Sequence, residues 1–205
     1  MPYTPRPGTI LGVSGSPRKR SNSEALLGRI LGEAKAAGAV TASCRLRDYS
    51  ISPCLGCELC RKDGECTALD DDMQIIYPQL MDAAGLVLVS PVHNYNVSAL
   101  VKTFIDRLYR FYDFEDARPR PWSSRLAGQG RKAVIVAVGE QPDPESMGVV
   151  MEAMRLPLTA LGFDIVGELL AYPFFDAGAV ADDPNVTAKA RDLGRDLAGA
   201  VTATG

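Results

Sequence analysis

TILGVSGSPRKRSNSE (residues 9–24) carries a short apolar run directly into a turn of small and hydroxylated residues and then into a helix. Ser21 with Glu24 three residues later has the pattern of a capping box, and Leu26, Leu27, Ile30, Leu31 and Ala34 recur on one helical face. A strand that enters a helix through such a turn presents the helix's unpaired N–H groups at the strand's carboxyl end, which is an anion site. Ser16, Ser21, Asn22 and Ser23 add side-chain donors, and Arg18, Lys19 and Arg20 add charge suited to a phosphate dianion. The competing reading is an ordinary strand-to-helix turn with solvated basic residues.

Outward from this stretch the same alternation repeats. VTASCRL (40–46), LVLVS (86–90), AVIVAV (133–138) and IVGELLA (165–171) read as further strands. Helical spacing fills the gaps. Asp71 or Asp72 starts a segment with Ile75, Ile76, Leu80 and Met81; Ser98 starts one with Leu100, Phe104, Ile105 and Leu108; Asp183-Pro184 opens a last one with Val186, Ala190, Leu193, Leu197 and Val201. A helix over 146–161 is expected to be interrupted at Pro157. Five strands alternating with helices predict one α/β domain over residues 1–205, a doubly wound parallel sheet covered on both faces, with ligands beyond the strands' carboxyl ends. Residues 113–131 and 172–184, the latter with Phe174 and Phe175, are long connections of the kind that serve as lids or partner contacts.

A formal net charge of -3 gives no basic field for nucleic acid or an anionic membrane. No run approaches a membrane span, and MPYTPRPGTI lacks the apolar core of a secretory signal, so a cytoplasmic protein is expected. Its five cysteines then read as thiols or metal ligands before disulfides.

Absent patterns narrow the phosphate. No GxGxxG follows the first strand, no GxxxxGK[ST] occurs, and no cysteine is followed by the x5-Arg of a cysteine phosphatase. A cofactor monoester phosphate remains. After the third strand, SPVHNYNVSALVKTFIDR (90–107) offers a turn whose amides can meet the polar edge of a ring system and whose Tyr95 can cover an apolar face.

With GSPRKRSNS (15–23), this second stretch resembles the NADPH-dependent FMN reductase and iron-sulfur flavoprotein group of the flavodoxin-like superfamily, over almost the whole chain. The resemblance implies strand order 2-1-3-4-5 and an FMN phosphate held by Ser16, Arg18, Asn22 and Ser23. It also implies an isoalloxazine ring contacted by Pro91, Val92, His93, Asn94, Tyr95 and Asn96. His93 departs from the group, which usually has Tyr there; as the only histidine it is a candidate hydrogen-bonding or acid–base group, weighed against a structural or solvated role. Lys102, Asp106 and Arg107 read as surface ion pairs or a subunit contact. GEQPDPESMG (139–148) corresponds to a loop near the flavin in this group, so Gly139, Glu140 and Gln141 are expected on the substrate side.

Cys54, Cys57, Cys60 and Cys66 form C-x2-C-x2-C-x5-C after the second strand, while Cys44 reads as a core residue. Thiols at this spacing can close on a [4Fe–4S] cluster, hold zinc, or stay free and redox-active. Iron-sulfur flavoproteins carry this compact spacing, often followed by Asp-Asp-Met, here Asp71, Asp72 and Met73. The function implied is transfer of electrons from NADPH or NADH through FMN to a flavin, quinone or similar acceptor. The alternative is an electron carrier linking a protein such as ferredoxin to FMN through the cluster. A homodimer or homotetramer is expected by the same resemblance, with Trp122 as a candidate contact.

Overall fold

The computed structural model describes residues 4–202. In chain order its elements are β1 (Arg6–Ser14), α1 (Asn22–Ala36), β2 (Val40–Arg45), α2 (Cys60–Asp63), α3 (Met73–Asp82), β3 (Ala83–Pro91), α4 (Ala99–Arg107), β4 (Tyr112–Phe114), β5 (Trp122–Ser124), β6 (Lys132–Val138), α5 (Val150–Ala160), β7 (Asp164–Ala171) and α6 (Pro184–Thr202). All five expected strands form, and they pair in parallel as β2-β1-β3-β6-β7. Without the short β4 and β5 this is the expected order 2-1-3-4-5. The chain reverses its winding between β1 and β3, so helices cover both faces and a crevice opens at the carboxyl ends of those strands.

Period-two alternation in the central strands divides the core. Leu86, Leu88, Ile135 and Ala137 face α3, α4 and α5, packing with Tyr77, Phe104 and Met154. Val87, Val89, Val134 and Val136 face α1 and α6, packing with Leu26, Ile30 and Leu197. Both faces are buried, which explains why these strands read as unbroken apolar runs. β2 is an edge: Val40 is 68% exposed although Cys44 and Leu46 are buried, and burial pushes the Cys44 thiol up to about 12.

Three expectations change. α5 runs unbroken through Pro157. An interior proline costs about 3 kcal/mol, but Val150, Met154 and Leu158 are fully buried on that helix, and each such side chain contributes roughly 1.5–3 kcal/mol. Residues 113–131 are not structureless: β4 and β5 form an antiparallel hairpin in which Tyr112 meets Trp122 edge-on at 5.2 Å. Ile75 of α3 is 54% exposed, and the helix is anchored by Met73, Ile76, Tyr77 and Leu80 instead. No helix among the described residues is long and apolar enough to cross a membrane.

Candidate functional site

Four loops meet at the carboxyl rim of the sheet because backbone hydrogen bonds continue past the strand ends. Gly15 N donates to Val89 O (2.8 Å), Val92 N to Val138 O (2.7 Å), Gly139 N to Ala171 O (3.0 Å) and Phe174 N to Gly139 O (2.8 Å). Side chains lock the first two loops together. Ser98 Oγ donates to Gly15 O at 2.7 Å and accepts from Val101 N as the N-cap of α4, while Ser98 N donates to Ser90 Oγ at 3.0 Å. Gly15 is required there: a Cβ would lie 2.0 Å from Val101 Cγ2.

These loops enclose a solvent-open cavity of about 190 Å³. One side is polar. Ser16, Arg18, Ser21, Asn22 and Ser23 line it, around the N-terminus of α1, whose first N–H groups have no acceptor within the helix. Ser21 Oγ accepts from Glu24 N, as a cap should, but the Glu24 carboxylate is bound by Arg47, so the reciprocal half of the expected capping box is replaced by an ion pair. That pair offsets the one acidic charge of the first turn, which would otherwise repel an anion. Asn22 Oδ1 accepts from Val180 N (3.3 Å), which leaves its NH2 group as the donor.

The rest of the lining is less polar. Pro91, Val92, His93 and Val138 form it with Phe174 and Phe175, and Gly139, Glu140 and Gln141 complete the rim. Arg18 bridges the two sides, donating through Nη2 to Phe175 O at 2.7 Å with its guanidinium 5.1 Å from the Phe175 ring centre. Gln141 Oε1 is buried with no hydrogen-bond partner among the described residues. Such an acceptor costs about 1–3 kcal/mol until a donor reaches it.

Eleven of the expected site residues therefore share this cavity; Lys19 and Arg20 are not in its lining, and neither are Asn94, Tyr95 and Asn96. They make a tight turn: His93 N donates to Asn96 O, Asn96 N to His93 O, and Asn94 and Tyr95 both have positive φ. Tyr95 O accepts from Val149 N, and a Cβ on Gly148 would meet that oxygen at 2.2 Å, so the turn is docked on the loop before α5. Sequence reading marked Phe174 and Phe175 only as parts of a long connection.

A second, smaller cavity of about 20 Å³ is lined by Cys54, Cys57, Cys60 and Cys66 with Leu55, Leu59 and Tyr109. All four cysteines are free thiols, and an all-sulfur donor set suits soft ions and iron–sulfur clusters. Among the described residues no three such ligands converge closely enough to hold a single metal ion. Burial, and behind it the neighbouring Cys66, Cys54 and Cys57, push the Cys60 thiol up.

Arginines fix this loop. Arg120 Nη1 donates to both carboxylate oxygens of Glu58 (2.8 and 2.9 Å), a left-handed residue between Cys57 and Cys60, and Arg61 reaches Glu58 and Phe114 O. Arg120 arrives on the β4–β5 hairpin, so that hairpin has a structural task at the cysteine loop. Arg110 Nη2 lies 2.8 Å from Glu65 Oε1. The expected surface role holds for Lys102 and Asp106, which pair at 2.6 Å in the open, but not for Arg107, which is 2% exposed. The Arg107 Nη1 donates to Asp71 Oδ2 (2.6 Å) and Ser52 O (3.0 Å), and Nη2 to Cys66 Sγ (3.4 Å). Asp71 is desolvated, yet hydrogen bonds from Arg107, Ser52 N and Met73 N hold its carboxyl below the usual range.

The chain is similar to known proteins in sequence and in fold. An iron-sulfur flavoprotein of Archaeoglobus fulgidus is 42% identical over 98 residues, 48% of this chain and 49% of that protein, so the matched part spans about half the length of this relative. Another iron-sulfur flavoprotein of that organism is 30% identical over 188 residues, covering 92% of this chain and 78% of the relative. An FMN-dependent NADH-azoreductase of Bacillus anthracis, solved with FMN, superposes with a TM-score of 0.65 over 95% of this chain and 99% of its own at 14% identity, a likeness of fold. Residues 9–175 match the family model described as NADPH-dependent FMN reductase, and the chain belongs to that family.

Proposed function

We propose that this protein is an FMN-dependent oxidoreductase that passes electrons from NADPH or NADH through bound FMN to a small acceptor such as a flavin or quinone. The observation that carries this reading is the single cavity that joins the polar cradle at the N-terminus of α1 to the apolar residues Pro91, Val92, Val138, Phe174 and Phe175. When bound, FMN supplies both two-electron and one-electron chemistry, and the protein's part is to bind, orient and exclude. Ser16, Ser21, Asn22, Ser23 and the N-terminus of α1 hold the phosphate, with Arg18 as the counter-charge. Pro91, Val92 and His93 set the plane of the ring, Gly139 and Glu140 shape the edge where the nicotinamide docks, and the Gln141 acyl oxygen accepts from a ligand N–H. Asn94, Tyr95 and Asn96 form the turn that aims His93 and Val92. Family membership and the name of the azoreductase of similar fold support this reading.

A second reading, a one-electron carrier between a protein such as ferredoxin and FMN, is favoured by the four cysteines on one cavity and by relatives named iron-sulfur flavoproteins. In both readings Cys54, Cys57, Cys60 and Cys66 hold a [4Fe–4S] cluster. Four thiols lining one cavity, an all-sulfur donor set, support this reading. The protein works in the cytoplasm as a homodimer or homotetramer. Half-exposed Trp122 is a candidate contact, which light scattering on Trp122→Ser checks.

The experiment is a steady-state assay of the FMN-loaded protein with NADPH and with NADH against flavin, quinone and ferredoxin acceptors. Rapid nucleotide oxidation with small acceptors supports the first reading. Turnover with ferredoxin alone supports the second, and none with any pair refutes both.

A further inference from the structure

The loop that carries the four cysteines leaves the sheet after β2 and returns at α3, and one buried side chain from a distant helix joins its two ends. Arg107, the last residue of α4, donates through Nη1 to Ser52 O at the loop's start and to Asp71 Oδ2 at its end. Those two bonds would suffice to close the loop. The other terminal nitrogen, Nη2, is aimed at Cys66 Sγ at 3.4 Å, within hydrogen-bonding distance for sulfur. Tyr77 Oη donates to Arg107 O (2.9 Å), fixing the backbone behind the guanidinium. The Arg107 side chain is 1% exposed and that of Asp71 10%, so neither is free to swing away and bulk water screens the charge little.

We infer that Arg107 is a positioning residue for a cluster held by the four cysteines, its guanidinium donating to the Cys66 sulfur and raising the cluster's reduction potential. This rests on the proposal that these cysteines hold a [4Fe–4S] group. Reduction adds one electron and places further negative charge on the ligating sulfurs. A fixed N–H donor, the positive end of the Arg107–Asp71 pair turned toward the sulfur, stabilises the reduced state more than the oxidised one, which moves the potential upward. No proton is transferred, because a guanidinium stays protonated in proteins. The nearby charges are accounted for: Asp71 is spent on Arg107 itself, Arg110 faces Glu65 at 2.8 Å, and Glu58 is held by Arg120 and Arg61. Arg107 is the guanidinium among these that also touches a cysteine sulfur.

The test uses full-length protein loaded anaerobically with iron and sulfide, followed by iron analysis and a dithionite titration monitored by visible and electron paramagnetic resonance spectra. Wild-type protein grown with 15N-arginine should show nitrogen modulation in the spin echo of the reduced cluster. Arg107→Gln combined with Asp71→Asn, which leaves no charge buried alone, should keep its iron and flavin, lose the modulation and titrate at a more negative potential. Wild-type protein that takes up no iron defeats the cluster reading and this inference together. Iron uptake without 15N modulation, or an unchanged potential in the folded double variant, overturns the role of Arg107 alone. The wild-type spin-echo result stands even if the double variant fails to fold.

Discussion

Ser98 Oγ donates to Gly15 O at 2.7 Å, tying the turn after β1 to the N-terminus of α4, 83 residues later in sequence. Through this bond, the loop proposed to cradle the phosphate and the loop proposed to face the ring share one rigid anchor. Gly15→Ala would drive a methyl into Val101, and overpacking of this kind costs about 1–3 kcal/mol. It should lower the melting temperature and weaken FMN binding together. Ser98→Ala, which empties the anchor without a clash, should cost about 1 kcal/mol and weaken FMN binding more mildly. Thermal melts with and without FMN separate the two effects.

Arg18→Met should weaken FMN roughly 10- to 100-fold, the scale of a charge-assisted hydrogen bond of about 1.5–3 kcal/mol. The loss should shrink as salt is raised, because Arg18 is largely exposed. Riboflavin, which lacks the phosphate, should bind wild type and variant alike. Fluorescence titration with the two flavins checks both statements.

His93 lines the cavity, but its backbone N and O are both spent on the turn with Asn96. On the reading that it orients the ring, His93→Phe should change kcat by less than about tenfold at every pH. A loss of about 10²–10⁴, the scale of general acid–base catalysis, would make it a proton donor instead. A pH–rate profile of both proteins decides.

The Asp71 carboxyl ionises below its ordinary range in the folded chain. A depressed folded-state pKa contributes stability above the unfolded value of about 3.9, and that contribution is lost as pH falls through the folded value. Wild-type protein should therefore lose stability on acidification below about pH 4 more steeply than Asp71→Asn, which should be less stable at neutral pH. Urea melts at neutral and acidic pH measure the difference.

Much of the fold and of the first cavity was legible because both are written in local patterns. The unbroken apolar runs of β3 and β6 mark strands buried on both faces, and Ser16 to Ser23 sit where a helix must expose its first N–H groups. What escaped depends on contacts between distant segments. Phe174 and Phe175 reach the cavity only through the Phe174 N to Gly139 O bond and the Arg18 contact. Strands of three residues, as in β4 and β5, are too short to show alternation. Arg107 ends an amphipathic helix at a position that reads as surface, and only the return of the cysteine loop over it makes it interior. For Pro157, the local breaker rule yielded to the apolar face it sits in.

The most direct test of FMN as the working group of the first cavity is an anaerobic single-turnover measurement. Protein loaded with one FMN per chain is mixed with NADPH or NADH, and the flavin's visible absorption is followed. Bleaching in one fast phase, slowed or abolished when phosphate-free riboflavin replaces FMN, is the expected result. Failure to retain FMN, or an oxidised spectrum that neither nucleotide changes, would contradict the assignment.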